Sequence, residues 1–405
     1  MSATLRDLSA RRIIGLVADA AERWSDADFP PRVRATAAIA ERLGYSVPVV
    51  EYALDRIFFG ITRTALEASI VSELGSVEAL DGVVPRADAP AAWARGVERV
   101  AIVSSDTTIG VALVPALFAL CAKCTVVVKD RADALVASFL ASLADEHPAF
   151  AAAAQARAWS GGDDPEEAAL LAGADVVVAF GRDEALRAIR AACGTETRFV
   201  PFGHRASIGR LTRTEAAALD APLAESIVRD ALLYDGEGCL SLHALFVDAD
   251  GPTLTRVGEL LAAAAERVAV EFPPSRSSAA RDAAVASYRN LAAFRAASGR
   301  GAVQRGGGAT IVVDAPAGDP PPFLPRVLPV IARADDDAVA AYVREHRLPV
   351  QALGVARADE AAVALGRRIG AVRVAPLGTL QAPPLGGHHG GAPRIAEFVR
   401  WIDQE

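Results

Sequence analysis

Apolar positions in the first ninety residues recur at helical spacing. Asp28-Phe29-Pro30-Pro31 opens a helix whose apolar positions run through Ala35, Ala38, Ile39 and Leu43. Gly44 ends it, because the left-handed position after a helix favours glycine. Ser46 is placed to cap a second helix that buries Val49, Val50, Ala53, Leu54 and Ile57. From Arg99 the period changes. Val100 to Val103 is a short apolar run closing in Ser104-Ser105-Asp106, followed by a helical stretch from Ile109 to Leu120. Cys124 to Val128 is a second such run ending at Lys129, and Ala132 to Ala144 is helical. Ala174 to Phe180 is a third run, closed by Gly181. Asp183 then caps a helix from Glu184 to Ala192, and Arg198 to Val200 reads as a further strand. Strands apolar on both faces that alternate with helices imply right-handed crossovers and a parallel sheet. A ligand is expected at the carboxyl ends of such strands.

After Gly209 a helix is expected from Thr212 to Tyr234, kinked near Pro222, and Asp235-Gly236-Glu237-Gly238-Cys239 reads as a tight glycine turn. Further alternation follows: a strand over 244–247, helices over 253–270 and 277–297, a strand over 310–313, a helix over 335–343, a strand over 350–355 and a helix over 359–369. Proline-rich 314–322 is a loop. The expected fold class is α/β. A helical N-terminal region and a parallel nucleotide-binding sheet occupy 1–208. A second α/β domain carrying Cys239 occupies 209–380, and a tail over 381–405 packs back on the core.

Composition narrows the function. Apolar residues make up 52% of the 405 positions, enough for a large core, and the formal net charge of −8 argues against a nucleic-acid or anionic-membrane binder. The four cysteines are too few for a disulfide framework in so long a chain, so a reducing, cytoplasmic setting is expected. Met-Ser-Ala-Thr-Leu-Arg-Asp lacks the pattern of a signal peptide. The most apolar stretch, Gly110 to Ala122, is short of the roughly 20 residues that span a bilayer, so no integral membrane contact is expected.

Candidate chemistry centres on Cys239. The flanking glycines permit close approach by a substrate, and backbone N–H groups there can converge on an oxyanion. The alternative is a buried free cysteine in a turn. Cys121-Ala-Lys-Cys124 ends a helix and starts a strand, whereas a redox CxxC opens a helix, so it reads as core packing. His204 and His243 flank the Cys239 region; either donates a proton in catalysis or is structural. Adjacent His388-His389 point in different directions with no third ligand at a suitable spacing, so no metal is expected. Gly161-Gly162-Asp163-Asp164-Pro165 is a loop with cap chemistry, and no phosphate-binding GxxxxGK[ST] motif occurs.

Several segments, in order, resemble the aldehyde dehydrogenase superfamily. Asp235-Gly-Glu-Gly-Cys239-Leu-Ser followed by Leu-Phe-Val is similar to its catalytic-cysteine segment. Thr125-Val-Val-Val-Lys129 is similar to its strand ending in a ribose-holding lysine, and Asp175-Val-Val-Val-Ala-Phe-Gly181 to its strand and loop at the pyrophosphate and nicotinamide. Phe202-Gly203-His204-Arg205-Ala206-Ser207 stands where that superfamily has a glycine pair. The helical N-terminal region, the Ser-Ser turn and Pro383-Pro384-Leu385…Gly390…Phe398-Val-Arg-Trp401 resemble the long-chain acyl-CoA reductases of bacterial luciferase operons more closely.

The resemblance implies reduction of a fatty acyl-CoA or acyl-carrier thioester to an aldehyde, with NADPH (or NADH) as cofactor and a thioacyl-cysteine intermediate. Cys239 is then the nucleophile, Asp106 stands at the oxyanion position and His204 is a proton donor. Ser104, Lys129, Gly181, Arg182 and Gly203 are the implied cofactor contacts, with Arg182 equally read as solvated. Partners would be the thioester substrate and either a second copy of the chain or an acyl-activating ligase.

The pattern also departs from the superfamily. Pro201-Phe202 replaces the glutamate base of its hydrolytic members, which disfavours attack by water and is compatible with reduction. An ionised Asp106 repels an oxyanion, so it is protonated, or Thr107 or Thr108 takes the role, or the site is impaired. The glutamate that grips the nicotinamide ribose falls near Pro325. These departures motivate a rival reading, a non-catalytic subunit that binds an acyl group or scaffolds a partner. An acyl-phosphate reductase is a third option.

Overall fold

The computed structural model describes residues 4–87, 89–105, 108–130, 135–158, 165–332 and 335–405. They form two compact units, one of residues up to Leu43 with Val50–Gly203 and Pro384–Glu405, the other of Gly44–Val49 with His204–Pro383. The division falls just after Gly203, a few residues before 208/209, and the chain end belongs to the first unit. Among the described residues no helix is long and apolar enough to cross a membrane.

In the first unit, helices α1 (Ala10–Ser25), α2 (Pro30–Leu43), α3 (Val47–Phe58) and α4 (Arg63–Leu74) precede any strand. Their apolar faces converge on Trp24, fully buried, whose ring lies 5.1 Å from Phe58 and 5.9 Å from Phe139. The indole N–H donates to Ser142 Oγ at 2.9 Å, so this large side chain is buried without an orphaned donor. Gly44 follows α2 at φ 79°, as the glycine signal requires. Ser46 does not cap α3: its hydroxyl donates to the Pro273 carbonyl at 3.1 Å.

Strands β1 (Val84–Arg86) and β2 (Ala89–Gly96) are antiparallel and begin inside the stretch read as helical. The C-terminal strand Val399–Gln404 pairs antiparallel with β2, from Val399 opposite Gly96 to Gln404 opposite Ala91. The nucleotide-type sheet comprises β3 (Arg99–Val103), β4 (Thr125–Lys129), β5 (Ala154–Arg157), β6 (Val176–Phe180) and β7 (Arg198–Phe202). Its order is β5-β4-β3-β6-β7 and every pairing is parallel. Helices α5 (Leu113–Cys121), α6 (Leu135–Glu146), α7 (Ala149–Ala153), α8 (Pro165–Ala172) and α9 (Asp183–Ala192) make the connections. Ala101, Val103, Val177 and Ala179 on one face pack against Leu171 and Leu186. Asp183 does not cap α9: Arg182 occupies the cap position, and the Asp183 charge sits in the first turn, where the helix dipole favours it.

The second unit contains β8 (Ala206–Leu211), α10 (Arg213–Ala217), α11 (Ala221–Leu232), β9 (Leu242–Val247), α12 (Gly251–Glu271) and α13 (Ala279–Ala297). It continues with β10 (Ala302–Gly306), β11 (Ala309–Val313), β12 (Val327–Ala332), α14 (Asp336–Glu345), β13 (Val350–Val355), α15 (Glu360–Arg368) and β14 (Arg373–Pro376). Strand order is β10-β11-β12-β9-β8-β13-β14, parallel throughout except for the β10–β11 hairpin. The single helix expected over 212–234 is two, because the Asp220 side chain accepts from Leu223 N–H and starts a new helix with Pro222 in its first turn. β12 was not evident in the sequence because Pro329 argues against an internal strand. Pairing with β9 starts only at Val330, so the missing N–H interrupts no bond on that side. One face of this sheet buries Ile208, Phe246, Ile331 and Leu353 beneath Tyr342 and Leu365.

Candidate active site

In the second unit the chain leaves α11 through a strained turn. Tyr234, Asp235 and Gly236 have φ of 55°, 54° and 76°, a left-handed run that only glycine adopts freely. Each of the two non-glycine residues costs on the order of 1–3 kcal/mol there. A Cβ at Gly236 would lie 2.8 Å from the Ala231 carbonyl oxygen, so this position requires glycine on both counts. Asp235 is buried and ion-paired to Arg326, 3.2 Å away.

Gly238 to Ser241 then forms a tight turn closed by the Ser241 N–H donating to the Gly238 carbonyl at 2.9 Å. Cys239 and Leu240 are its central residues, and β9 starts immediately after. Cys239 is the one exposed residue among the four cysteines; Cys121 and Cys124 are buried and Cys193 is half-buried. Protein atoms crowd the Cys239 sulfur although the residue reaches solvent, and lost hydration pushes its pKa up. Its own N–H, the Arg205 guanidinium and the Leu240 N–H act in the opposite direction. Both N–H groups belong to the turn that carries the sulfur. The same donors are available to an oxygen that becomes negative on a carbon bonded to that sulfur.

Ser207 Oγ donates to the Cys239 carbonyl at 2.8 Å and holds the turn to β8. Ser207 N–H donates to His243 Nδ1 at 3.2 Å. His243 is buried, and its pKa is pushed down to about 4 by burial and by the neighbouring His204. It is neutral at pH 7, with its proton on Nε2 because Nδ1 accepts. The Phe323 ring touches both histidines, with centroids 4.8 Å from His204 and 4.9 Å from His243. His204 itself is exposed. On the other side, Gln381 Nε2 donates to Ser241 Oγ at 2.8 Å and to the Asp230 carbonyl at 3.3 Å. Asp230, 1% exposed, accepts the Gly378 and Leu380 N–H groups at 2.5 and 3.1 Å. Burial still pushes its carboxyl up to about 7.

In the first unit the carboxyl ends of β3, β4 and β6 carry the other expected residues. Ser104 is half-buried and its N–H donates to the Lys129 carbonyl at 3.0 Å. Lys129 is not a solvated strand end: it is 6% exposed, with Nζ 2.6 Å from Glu167 Oε1 on α8. Glu167 is 7% exposed, and its Oε2 has no hydrogen-bond partner among the described residues. The Gly181 N–H donates to the Phe202 carbonyl at 3.2 Å, Arg182 is exposed, and Gly203 packs beside Asp183 and Leu186. Pro201 is the exposed penultimate residue of β7, paired with Ala179 of β6. Asp106 and Thr107 lie outside the described residues, while Thr108 is exposed.

Cys121 and Cys124 belong to the core, and burial pushes the Cys121 thiol up to about 12. His389 stacks on Phe202 at 4.1 Å. Among the described residues no cluster of three or more His, Cys, Asp or Glu is arranged to hold a metal ion. A small, mostly apolar pocket open to solvent in this unit is lined by Val114, Phe118, Val178, Phe202, His389 and Arg394, among others.

The family model described as Acyl-CoA reductase (LuxC) matches residues 5–401. The chain belongs to the acyl-CoA reductase family. Family membership makes it an oxidoreductase acting at the level of an aldehyde or acyl-CoA. No functionally curated protein matches the sequence. Solved structures show that the fold is that of the aldehyde dehydrogenases. Glyceraldehyde-3-phosphate dehydrogenase GapN from Methanocaldococcus jannaschii, determined with NADP, superposes with TM-score 0.71 at 11% identity over 98% of this chain and 90% of its own. The NAD-dependent benzaldehyde dehydrogenase of Corynebacterium glutamicum gives 0.69 at 14% identity, covering 98% and 86%. The NAD-dependent aldehyde dehydrogenase of Sinorhizobium meliloti gives 0.70 at 15% identity, covering 98% and 82%.

The sequence singled out Cys239, His204, His243 and Lys129 as candidates and gave no sign of Glu167, Asp230, Arg326 or Gln381. Each of these is a polar residue whose role depends on a partner distant in the chain, and none sits in a local pattern that marks it. Asp235 was noticed only as part of the glycine turn.

Proposed function

We propose that this acyl-CoA reductase family member reduces an acyl thioester, a fatty acyl-CoA or acyl-carrier conjugate, to the aldehyde through a thioacyl-Cys239 intermediate. The observation that carries the reading is the Cys239 turn: alone of the four cysteines Cys239 is an exposed residue, and it is central in the tight turn closed from Ser241 N–H to the Gly238 carbonyl. The Cys239 thiolate adds to the thioester carbonyl, and the Cys239 and Leu240 N–H groups hold the oxygen as it becomes negative. Collapse breaks the bond to the carrier sulfur, which leaves as a thiol after taking a proton from His204, a role its exposed position beside Phe323 supports. NADPH or NADH, when bound, would supply the hydride that takes the thioacyl group to the level of a thiohemiacetal. The sulfur–carbon bond then breaks and releases aldehyde and the Cys239 thiolate. Pro201 in place of a carboxylate leaves no base there to activate water, which protects the thioacyl group from hydrolysis.

The nucleotide-type unit fits such a dinucleotide. The buried Lys129–Glu167 pair at the end of β4 leaves Glu167 Oε2 as an orphaned acceptor, and a ribose hydroxyl would complete it. Ser104, Gly181, Arg182 and Gly203 lie at or just beyond the carboxyl ends of β3, β6 and β7, where a parallel sheet of this type takes its ligand.

The test mixes the purified chain with acyl-CoA esters of several lengths and NADPH or NADH while absorbance at 340 nm is followed. Thioester-dependent oxidation is expected, with Cys239→Ala abolishing it. A radiolabelled acyl group should remain on the wild-type chain when the cofactor is omitted. Oxidation undiminished in Cys239→Ala would remove the thioacyl mechanism.

A further inference from the structure

Two left-handed turns of the second unit are joined to each other. Tyr234 to Gly236 leads to Cys239. Phe323 and Arg326, with φ of 48° and 52°, frame a second turn whose Phe323 ring touches His204 and His243. The joint is made by a buried carboxylate–guanidinium pair and one backbone hydrogen bond between the same two residues. Asp235 Oδ1 accepts from Arg326 Nη1 at 3.2 Å, and the Asp235 carbonyl accepts the Arg326 N–H at 2.9 Å. Asp235 Oδ2 accepts from the Ser275 N–H at 3.2 Å and from the Ser275 hydroxyl. Arg326 Nη2 donates to the Gly307 carbonyl at 2.9 Å, and the Arg326 carbonyl accepts the Thr310 N–H. Neither strained turn is stable by its own backbone preference, so the geometry of each depends on this contact.

We propose that Asp235 and Arg326 are positioning residues for the reaction: their buried pair fixes the Cys239 turn against the turn that carries Phe323, and so sets the nucleophile relative to His204. The inference rests on the thioacyl reading for its consequence in turnover, but not for its consequence at the sulfur. A buried ion pair tying two strained turns is costly compared with apolar packing, and holding one precise geometry is the service such a pair provides. Releasing it lets the Cys239 turn relax and water reach the sulfur. Lost hydration is the largest influence on that thiol, so its ionisation moves back towards that of an ordinary cysteine. The variant is then more reactive to a small alkylating agent near neutral pH while it turns over more slowly. A role in folding alone does not produce that opposition.

The experiment measures alkylation of Cys239 by iodoacetamide against pH, read by mass spectrometry of the Cys239 peptide in a Cys193→Ser background. Asp235→Asn and Arg326→Met are compared with Arg326→Lys, which keeps the charge. Asp235→Asn and Arg326→Met are expected to shift the alkylation profile to lower pH and to reduce kcat about tenfold or more, with KM for the thioester within about twofold. Arg326→Lys should restore part of both. If the first two variants do not fold, Arg326→Lys and Ser275→Ala should show a smaller shift in the same direction. A profile unchanged in every folded variant overturns the proposal. Should Cys239→Ala retain turnover, the thioacyl reading fails, while the alkylation profile still decides whether the pair positions the sulfur.

Discussion

Replacing Asp230 by Asn should change how the stability of the second unit depends on pH. The carboxyl is 1% exposed and receives two backbone N–H bonds, yet burial pushes its pKa up to about 7 from an ordinary 3.8. The folded chain therefore holds a proton on Asp230 that the unfolded chain releases between about pH 4 and pH 7. The stabilising contribution of that proton is complete below the unfolded pKa and is lost as pH rises through the folded one. Its size is the shift of roughly 3 units at 1.36 kcal/mol each, on the order of 4 kcal/mol across the window. Asparagine is neutral throughout, so its contribution is flat. Its single carbonyl oxygen cannot serve both the Gly378 and Leu380 N–H groups, so at pH 4.5 the variant should be about 1–2 kcal/mol less stable than the parent. By pH 8 the sign should reverse. The assay is the urea midpoint of parent and Asp230→Asn, each at a series of pH values from 4.5 to 8, with the difference plotted against pH. A difference that stays constant over that range would show that the carboxyl ionises normally in the folded chain and would refute the reasoning. The same turn holds Gln381 against Ser241, two residues beyond Cys239, so aldehyde formation should be measured on the same samples.

Two further outcomes follow from the first unit. On the proposed placing of a cofactor ribose at the Lys129–Glu167 pair, Glu167→Gln removes a negative charge that would repel a 2′-phosphate, so the ratio of kcat/KM for NADPH to that for NADH should rise by about tenfold, equivalent to about 1.4 kcal/mol; an unchanged ratio would place the ribose elsewhere. Trp24→Ala deletes a fully buried ring packed on Phe58 and Phe139 and orphans Ser142 Oγ as an acceptor, and should destabilise this unit by about 3–5 kcal/mol in chemical denaturation. A loss below about 1 kcal/mol would contradict the packing described.

The long periodic elements were legible from the chain alone. Runs such as Val126–Val128 and Val176–Val178 are apolar on both faces, which only a sheet covered on both sides accepts, and they sit in parallel pairings here. The turn at Cys239 was legible because glycines at that spacing favour a tight local turn, and the structure has one over Gly238 to Ser241. Short edge strands were not legible. Ala154–Arg157 has no β-branched residue and is a strand only because β4 offers it a partner, and Val399–Gln404 likewise pairs only because β2 is beside it.

Local chain preference thus determined where most helices and several internal strands form, though not β8 or β12, because hydrophobic period and turn chemistry act over a few residues. Pairing of charges across long separations was decided by the tertiary structure. Lys129 meets Glu167 thirty-eight positions later, and Asp235 meets Arg326 ninety-one positions later, at depths where neither charge could remain alone. Nothing near either residue in sequence announces its partner, since the requirement that joins them, neutralising a charge taken out of water, arises only once the sheets have closed over it.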